Sequence, residues 1–119
     1  MEHKPPSEFM VAFGARILAR RKQLGLTQEQ TAQKAQLSSQ FLSFVESGKK
    51  SVRAENIVNL AKALEVSTDY LLTGVCSDGD VSRVYELLRS FDSQELVSAE
   101  GFLRKLKQLC QGVSENPTD

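Results

Sequence analysis

The chain has 119 residues, of which 40% are hydrophobic and 25% are charged, as in an ordinary globular protein. No apolar run is long enough to span a bilayer and the first residues have no signal-peptide pattern, so we expect a cytoplasmic protein with no membrane partner. Cys76 and Cys110 are the only cysteines and there is one histidine, which argues against a disulfide framework and against a zinc site.

The net charge of zero hides a difference between the two parts of the chain. Residues 1–74 carry ten Lys and Arg against seven Asp and Glu, whereas residues 75–119 carry five against eight. The first part is therefore slightly basic, which is the sign that a nucleic-acid partner requires.

The first helix is predicted from about residue 9 to residue 23. Residues 1–8 are polar and contain Pro5-Pro6, which predicts a flexible arm. Gly25 is a stop signal after the helix. Its apolar positions recur at near-helical spacing: Phe13, Ile17, Leu18 and Leu24.

Two short helices are predicted next, each with its own cap. Thr27 is followed three residues later by Gln30, a capping-box pattern that begins a helix over 28–35. Ser38 caps the following helix over 39–47, which Gly48 stops.

Two more helices complete this part of the chain. One is predicted over 54–64, and a short one contains Tyr70, Leu71 and Leu72 and ends at Gly74. Five helices in this length predict one compact all-α domain over residues 9–74.

The rest of the chain predicts a polar linker over 75–80, a helical region over 81–111 and a disordered tail over 112–119. The helical region has two apolar stripes, but its repeat is too short to predict a coiled coil. The stripes either cover the back of the domain or pair two chains, and we favour dimerisation. The residues expected to pair the chains are Val84, Leu88, Leu96, Leu103 and Leu106.

Between about residue 13 and residue 74, an ordered set of residues carries a resemblance to a known family. The set is Ile17, Arg21, Leu24–Glu29, Ala32, Leu37–Ser38, Leu42–Ser43, Val45–Lys49, Leu60–Ala61, Ala63–Leu64, Val66–Ser67 and Asp69–Leu72. It resembles the lambda-type helix-turn-helix domain of phage repressors and Cro proteins, also called the XRE family. The resemblance implies an all-α fold with a five-helix DNA-binding domain, followed here by an extension of about two helices, and no cofactor.

The resemblance assigns base reading to the third helix, at Ser39, Gln40, Ser43 and Phe44. Gln40 is the strongest candidate, because its amide can bind adenine through two hydrogen bonds. The two serines fit a phosphate or water contact equally well. Phe44 either touches a thymine methyl group or packs, with Phe41, on a neighbouring helix or another protein.

The resemblance also assigns contacts with the DNA backbone. Gln28, at the start of the second helix, would bind a phosphate, although an ordinary solvated glutamine has the same pattern. The other residues expected at the backbone are Ser38, Lys49, Lys50 and Arg53. The alternative for Lys49, Lys50 and Arg53 is an ordinary cluster of solvated surface charges with no role in binding.

Arg21 and Glu46 match a structural pair that bridges the first helix to the end of the third. Two positions depart from the family pattern in the core and the turn. Gln36 stands where glycine is usual and must accept the backbone of the turn, and Thr31 stands where a buried leucine is usual.

The interpretation we favour is a dimeric, sequence-specific regulator of transcription, most simply a repressor that binds a palindromic operator. The alternative is an antitoxin-like or adaptor module whose last helices bind a partner protein. No set of residues suits catalysis, so we expect no enzyme. Cys110 fits an apolar position in its helix, although a redox role for either cysteine stays open.

Overall fold

The computed structural model describes residues 7–114, with side chains described through residue 112. Within this range the chain is all-α, and the expected five helices and two further helices are confirmed. They are α1 (Glu8–Gln23), α2 (Gln28–Ala35), α3 (Ser39–Glu46), α4 (Ala54–Leu64), α5 (Thr68–Thr73), α6 (Asp78–Arg89) and α7 (Ser93–Ser114).

The hydrophobic core lies among the first five helices. Helix α2 packs on α3 and α4, α1 packs on α3, and α5 packs on both α1 and α4. Each large apolar side chain in this core contributes about 1.5–3 kcal/mol through burial. The largest fully buried apolar side chains are Ile17, Leu42, Val45, Leu60, Leu64 and Leu71.

Short polar residues begin four of these helices. The hydroxyl of each accepts a hydrogen bond from the backbone N–H three residues later, and such a cap contributes about 1 kcal/mol. The caps are Ser7, Thr27, Ser38 and Ser67. Because Ser7 caps α1 and Glu8 belongs to it, the predicted arm over 1–8 is two residues too long, and the rest of that arm lies outside the described residues.

Two non-glycine residues end helices in the left-handed backbone conformation. Gln36 has a φ of 61° at the end of α2, and Glu65 has a φ of 55° at the end of α4. Such a conformation costs roughly 1–2 kcal/mol in a residue with a Cβ. At Gln36 the backbone N–H still bonds back to the carbonyls of Ala32 and Gln33, so the tight turn into α3 forms without glycine.

The described residues divide into one compact unit up to Asp80 and a second unit from Val81 onward. Helix α6 begins at Asp78, so the predicted linker over 75–80 is too long, because Ser77 and Asp80 form a cap there. The tail predicted to be disordered over 112–119 is helical as far as Ser114. One glycine in a helix costs only about 1 kcal/mol, so Gly112 does not stop α7. Residues 115–119 lie outside the described residues.

Candidate nucleic-acid interface

Helices α2 and α3 pack closely because the side chains on the contact side of α2 are small. Ala32 and Ala35 are buried, and the backbone N–H of Leu37 bonds to the Ala32 carbonyl at 2.8 Å. Ser38 then begins α3 by accepting a hydrogen bond from the backbone N–H of Phe41 at 3.0 Å. Because this connection is tight, α2 covers one side of α3 and the opposite side of α3 stays exposed to solvent.

Helix α3 is divided between a buried and an exposed side. Leu42 and Val45 are fully buried in the core. Ser39, Gln40 and Ser43 lie exposed on the other side, so all three polar residues expected to read bases are accessible and on one helix. Hydroxyl and amide groups of this kind can donate to and accept from base edges.

The two aromatic residues of α3 have different surroundings. Phe41 is partly buried and packs against the core, as one of the two interpretations expected. Phe44 is half-buried, and the Lys50 ammonium nitrogen lies 5.4 Å from the centre of its ring. A cation over an aromatic face is attracted by the electrons of the ring. The contact joins the end of α3 to the lysines that follow it.

Arg21 and Glu46 form a buried, two-pronged ion pair. The Arg21 Nε donates to Glu46 Oε2 at 2.7 Å and its Nη2 donates to Oε1 at 3.1 Å. The two side chains are 11% and 4% exposed, so neither charge is well solvated without the other. Since the Arg21 Nη1 also donates to the carbonyl of Leu26 at 2.9 Å, the pair joins α1, the start of the α2 region and the end of α3.

Gln28 takes part in the same cluster, which the sequence did not indicate. Its side-chain amide Nε2 donates to Glu46 Oε1 at 2.9 Å. The residue expected at a DNA phosphate therefore has one amide N–H engaged within the protein. This hydrogen bond holds the side chain in one orientation at the N-terminus of α2, where the backbone N–H groups favour an anion.

Gly14 permits the close approach of α1 to the end of α3, and sequence reasoning missed it. A Cβ at this position would lie 2.2 Å from the carbonyl oxygen of Val45 and 2.7 Å from that of Glu46. No side chain fits at such distances without movement of the backbone. The only signal in the sequence was a glycine inside an otherwise good helical pattern.

The basic residues expected at the DNA backbone are exposed. Lys49 and Lys50 follow α3 directly, and Arg53 is the residue before α4, where it makes no side-chain cap. Arg53 and Ser38 line the same surface depression of about 700 Å³, beside the N-termini of α3 and α4. The fold thus brings together two predicted backbone contacts that are 15 residues apart in sequence.

Two of the arginines that made the first part of the chain basic have a different role. The Arg16 Nη1 donates to the carbonyl of Leu71 at 2.8 Å, and the Arg20 Nε donates to the carbonyl of Leu64 at 2.9 Å. These carbonyls lie at the C-terminal ends of α5 and α4, where backbone oxygens lack helical partners. Both arginines therefore cap helices from a distance, a role that the sequence did not reveal.

In the second unit, none of the described side chains from Val81 to residue 112 is buried. Four residues expected to pair two chains are exposed, namely Val84, Leu96, Leu103 and Leu106, and Leu88 is partly exposed. Across residues 7–114, no helix is long and apolar enough to cross a membrane. In the same range there is no group of three or more His, Cys, Asp or Glu side chains that could hold a metal ion.

Comparisons with known proteins agree with this geometry. A family model described as Helix-turn-helix matches residues 17–71, which run from the middle of α1 into α5. The P22 c2 repressor, solved in complex with a synthetic operator, is 38% identical, with a TM-score of 0.52 over 53% of this chain and 96% of that one. The restriction-modification controller protein C.AhdI from Aeromonas hydrophila is 35% identical, with a TM-score of 0.51 over 52% of this chain and 94% of that one.

A third similar structure is the clp gene regulator ClgR from C. glutamicum. It is 29% identical, with a TM-score of 0.54 over 57% of this chain and 87% of that one. Together with the exposed polar side of α3 and the buried Arg21–Glu46 pair, these likenesses define the protein's class. The chain belongs to the XRE-type helix-turn-helix family of DNA-binding transcriptional regulators.

Proposed function

We propose that the protein is a homodimeric repressor that binds a palindromic operator with α3 in the major groove of each half-site. The observation that carries this proposal is the exposed polar row on α3, formed by Ser39, Gln40 and Ser43. An α-helix fits the width of the major groove, where each base pair presents a distinct pattern of donors and acceptors. Repression would follow from occupation of the operator.

Gln40 is the proposed main reader, with an adenine as its preferred base. Ser39 and Ser43 flank it on the exposed side of α3. Phe44 would contribute an apolar contact to a thymine methyl group through the exposed part of its ring, while Lys50 lies over the ring. Sequence preference would thus come from one amide, two hydroxyls and one aromatic edge.

Backbone contacts would set the register of the protein on the duplex. An amide group has two N–H donors, and Glu46 receives one from Gln28. The other donor is the one we assign to a phosphate at the N-terminus of α2. Ser38, Lys49, Lys50 and Arg53 would bind further phosphates, which agrees with their exposure.

Dimerisation is proposed from the apolar stripes of α6 and α7. Leu96, Leu103 and Leu106 lie at helical spacings of seven and three residues, and each is more than 40% exposed. Exposed apolar stripes of this length favour a partner surface, and a second copy supplies an identical stripe. A partner protein is the second candidate for the same stripes, as in the antitoxin-like or adaptor alternative. A role on DNA carries with it the expected cytoplasmic location.

The proposal is tested by selection of bound fragments from a random DNA pool, together with sedimentation of the full-length protein. We expect an inverted repeat whose half-site centres lie about 10 base pairs apart, since two recognition helices on one face of the DNA duplex are separated by one turn of that duplex.

Gln40→Ala should weaken binding to the best site by about 1–3 kcal/mol and relax the base preference at one or two base pairs. Gln108→Ala, the same change on α7, is the matched control and should leave binding unchanged.

The dimer is tested separately in the full chain. Leu103→Glu with Leu106→Glu places charges in the stripe and should give a monomer that binds the operator far more weakly. Gln108→Glu adds a charge away from the stripe and should stay dimeric. A wild-type protein that is monomeric at micromolar concentration, or that selects sites with no two-fold symmetry, would contradict the dimeric operator complex.

A further inference from the structure

Asp80 joins the beginnings of two helices. One oxygen of its carboxylate accepts a hydrogen bond from the backbone N–H of Ser67 at 2.8 Å, and the other accepts one from the Ser67 hydroxyl. The second oxygen also accepts the backbone N–H of Ser77 at 2.8 Å and lies 3.3 Å from the Ser77 hydroxyl. Ser67 is the cap of α5, and Ser77 directly precedes α6.

This arrangement differs from an ordinary helix cap, in which one side chain serves one helix end. The Ser67 hydroxyl accepts from the backbone N–H of Tyr70 at 3.0 Å while it donates to Asp80, so it is engaged on both sides. The carboxylate therefore holds the entry of α6 against the entry of α5. The four residues between Thr73 and Asp78 are the whole connection between these helices.

Loss of the carboxylate would remove the acceptor that serves the Ser77 N–H. The first turn of α6 would then fray, because orphan N–H groups at a helix start need an acceptor. The residues of that first turn would then leave α6 and lengthen the connection between α5 and α6. The connection would become longer and more flexible.

We propose that Asp80 is a positioning residue for the DNA-bound dimer, and that it limits the half-site spacings that the protein accepts. This inference rests on the proposed homodimer, in which the stripes of α6 and α7 pair two chains. A short and anchored connection restricts where the two recognition helices can lie, whereas a flexible one spreads the effective concentration of the second domain over more spacings.

The test measures operator affinity while base pairs are added to or removed from the centre of the selected inverted repeat. For the full-length wild-type protein we expect binding to weaken roughly tenfold or more when two base pairs are inserted, since this rotates one half-site by about a fifth of a turn. Asp80→Ala, which leaves no acceptor for Ser67 or Ser77, should reduce that penalty by roughly threefold or more, because a flexible connection tolerates the rotation. Affinity for a single half-site should not change.

Asp78→Ala is the matched control, because it removes the same side chain and charge from the same turn of α6. If this control reduced the spacing penalty as much as Asp80→Ala does, charge rather than the joint would be responsible and the inference would fail. A wild-type spacing penalty in Asp80→Ala would also overturn it. A wild-type protein with no spacing preference would instead refute the dimer itself, before any variant is compared.

Amide hydrogen exchange gives a second readout that does not depend on DNA. The Ser67 and Ser77 amides should be protected in the wild type and should exchange faster in Asp80→Ala, with the core of the first unit unaffected. Equal exchange in the two proteins would mean that the joint does not hold α6, which would overturn the inference even if DNA binding changed.

Discussion

The side-chain amide of Gln28 donates a hydrogen bond of 2.9 Å to the carboxylate of Glu46, so the first residue of α2 is joined to the last residue of α3. The same carboxylate is paired with Arg21 of α1. One buried carboxylate therefore connects the helix proposed to read bases with a residue proposed to bind a phosphate. A change at this carboxylate should affect stability and DNA binding together.

Arg21→Ala should lower the free energy of unfolding by roughly 3 kcal/mol, because it leaves the buried Glu46 carboxylate without its cation. DNA binding should fall as well, since the Glu46 carboxylate also orients Gln28. Thermal or urea unfolding and operator affinity measure the two effects. The control is Arg104→Ala, which breaks an exposed ion pair with Glu100 and should cost less than about 1 kcal/mol. Similar melting temperatures for the two variants would contradict the structural role of the buried pair.

Gly14→Ala should destabilise the first unit by roughly 2 kcal/mol or more, because the new methyl group collides with the carbonyls of Val45 and Glu46. Gly101→Ala is the matched control, since a Cβ there meets no atom within 4 Å and alanine is the better helix former by about 1 kcal/mol. Circular dichroism melts of both variants test the difference. A Gly14→Ala variant with the same melting temperature as the wild type would show that α1 does not approach α3 this closely.

Thr31→Val should stabilise the protein by about 1 kcal/mol. The Thr31 hydroxyl is buried without a hydrogen-bond partner, and valine has the same shape without the polar group. Thr73→Val serves for comparison. The Thr73 hydroxyl donates a hydrogen bond to the Asp69 carbonyl, so its loss should lower the stability. If the urea concentration at the unfolding midpoint fell in Thr31→Val, the Thr31 hydroxyl would have a hydrogen-bond partner in solution.

Lys49→Ala should weaken specific and non-specific DNA binding about equally and reduce the dependence of log K on log salt by roughly one. The exposed Lys49 directly follows α3, where a phosphate contact is proposed. Lys105→Ala removes an exposed charge from α7 and should not change the salt dependence. A changed base preference with the same salt dependence would contradict the phosphate role.

The joint at Asp80 should open in acid. Burial raises the pKa of Asp80, but hydrogen bonds from Ser67 and Ser77 outweigh burial and lower the pKa from 3.8 to about 2. A carboxyl whose pKa is lower in the folded state contributes stability above its unfolded pKa and loses it as the pH falls through the folded value. The stability difference between wild type and Asp80→Asn should therefore shrink between about pH 4 and pH 2.

NMR titration of the Asp80 carboxyl checks this directly. Ser67→Ala removes the hydroxyl donor and should move the pKa of Asp80 upward. A wild-type Asp80 that titrates at its ordinary value would show that the hydrogen bonds are not formed in solution.

The sequence by itself determined the helices and the family. Helix caps and stops are local signals, because a hydroxyl three residues from an N–H, or a residue that accepts a left-handed backbone, acts within one turn of the chain. The caps at Thr27 and Ser38 were therefore recognisable from their sequence neighbours alone. The family resemblance likewise assigned Ser39, Gln40 and Ser43 to the exposed side of α3. The same local reasoning misplaced the start of α6, where Ser77 and Asp80 form a cap inside the stretch assigned to a linker. It also misplaced the end of α7, which continues past Gly112.

Only the tertiary structure decided which polar groups meet. Arg16 reaches a carbonyl 55 residues away, Gln28 reaches a carboxylate 18 residues away, and Asp80 reaches a hydroxyl 13 residues away. Such contacts depend on how helices pack, and a side chain of the same type can be a surface charge in one packing and a buried cap in another. The roles of Gln28 and the arginines therefore became visible only once α1, α3, α4 and α5 were placed around one core.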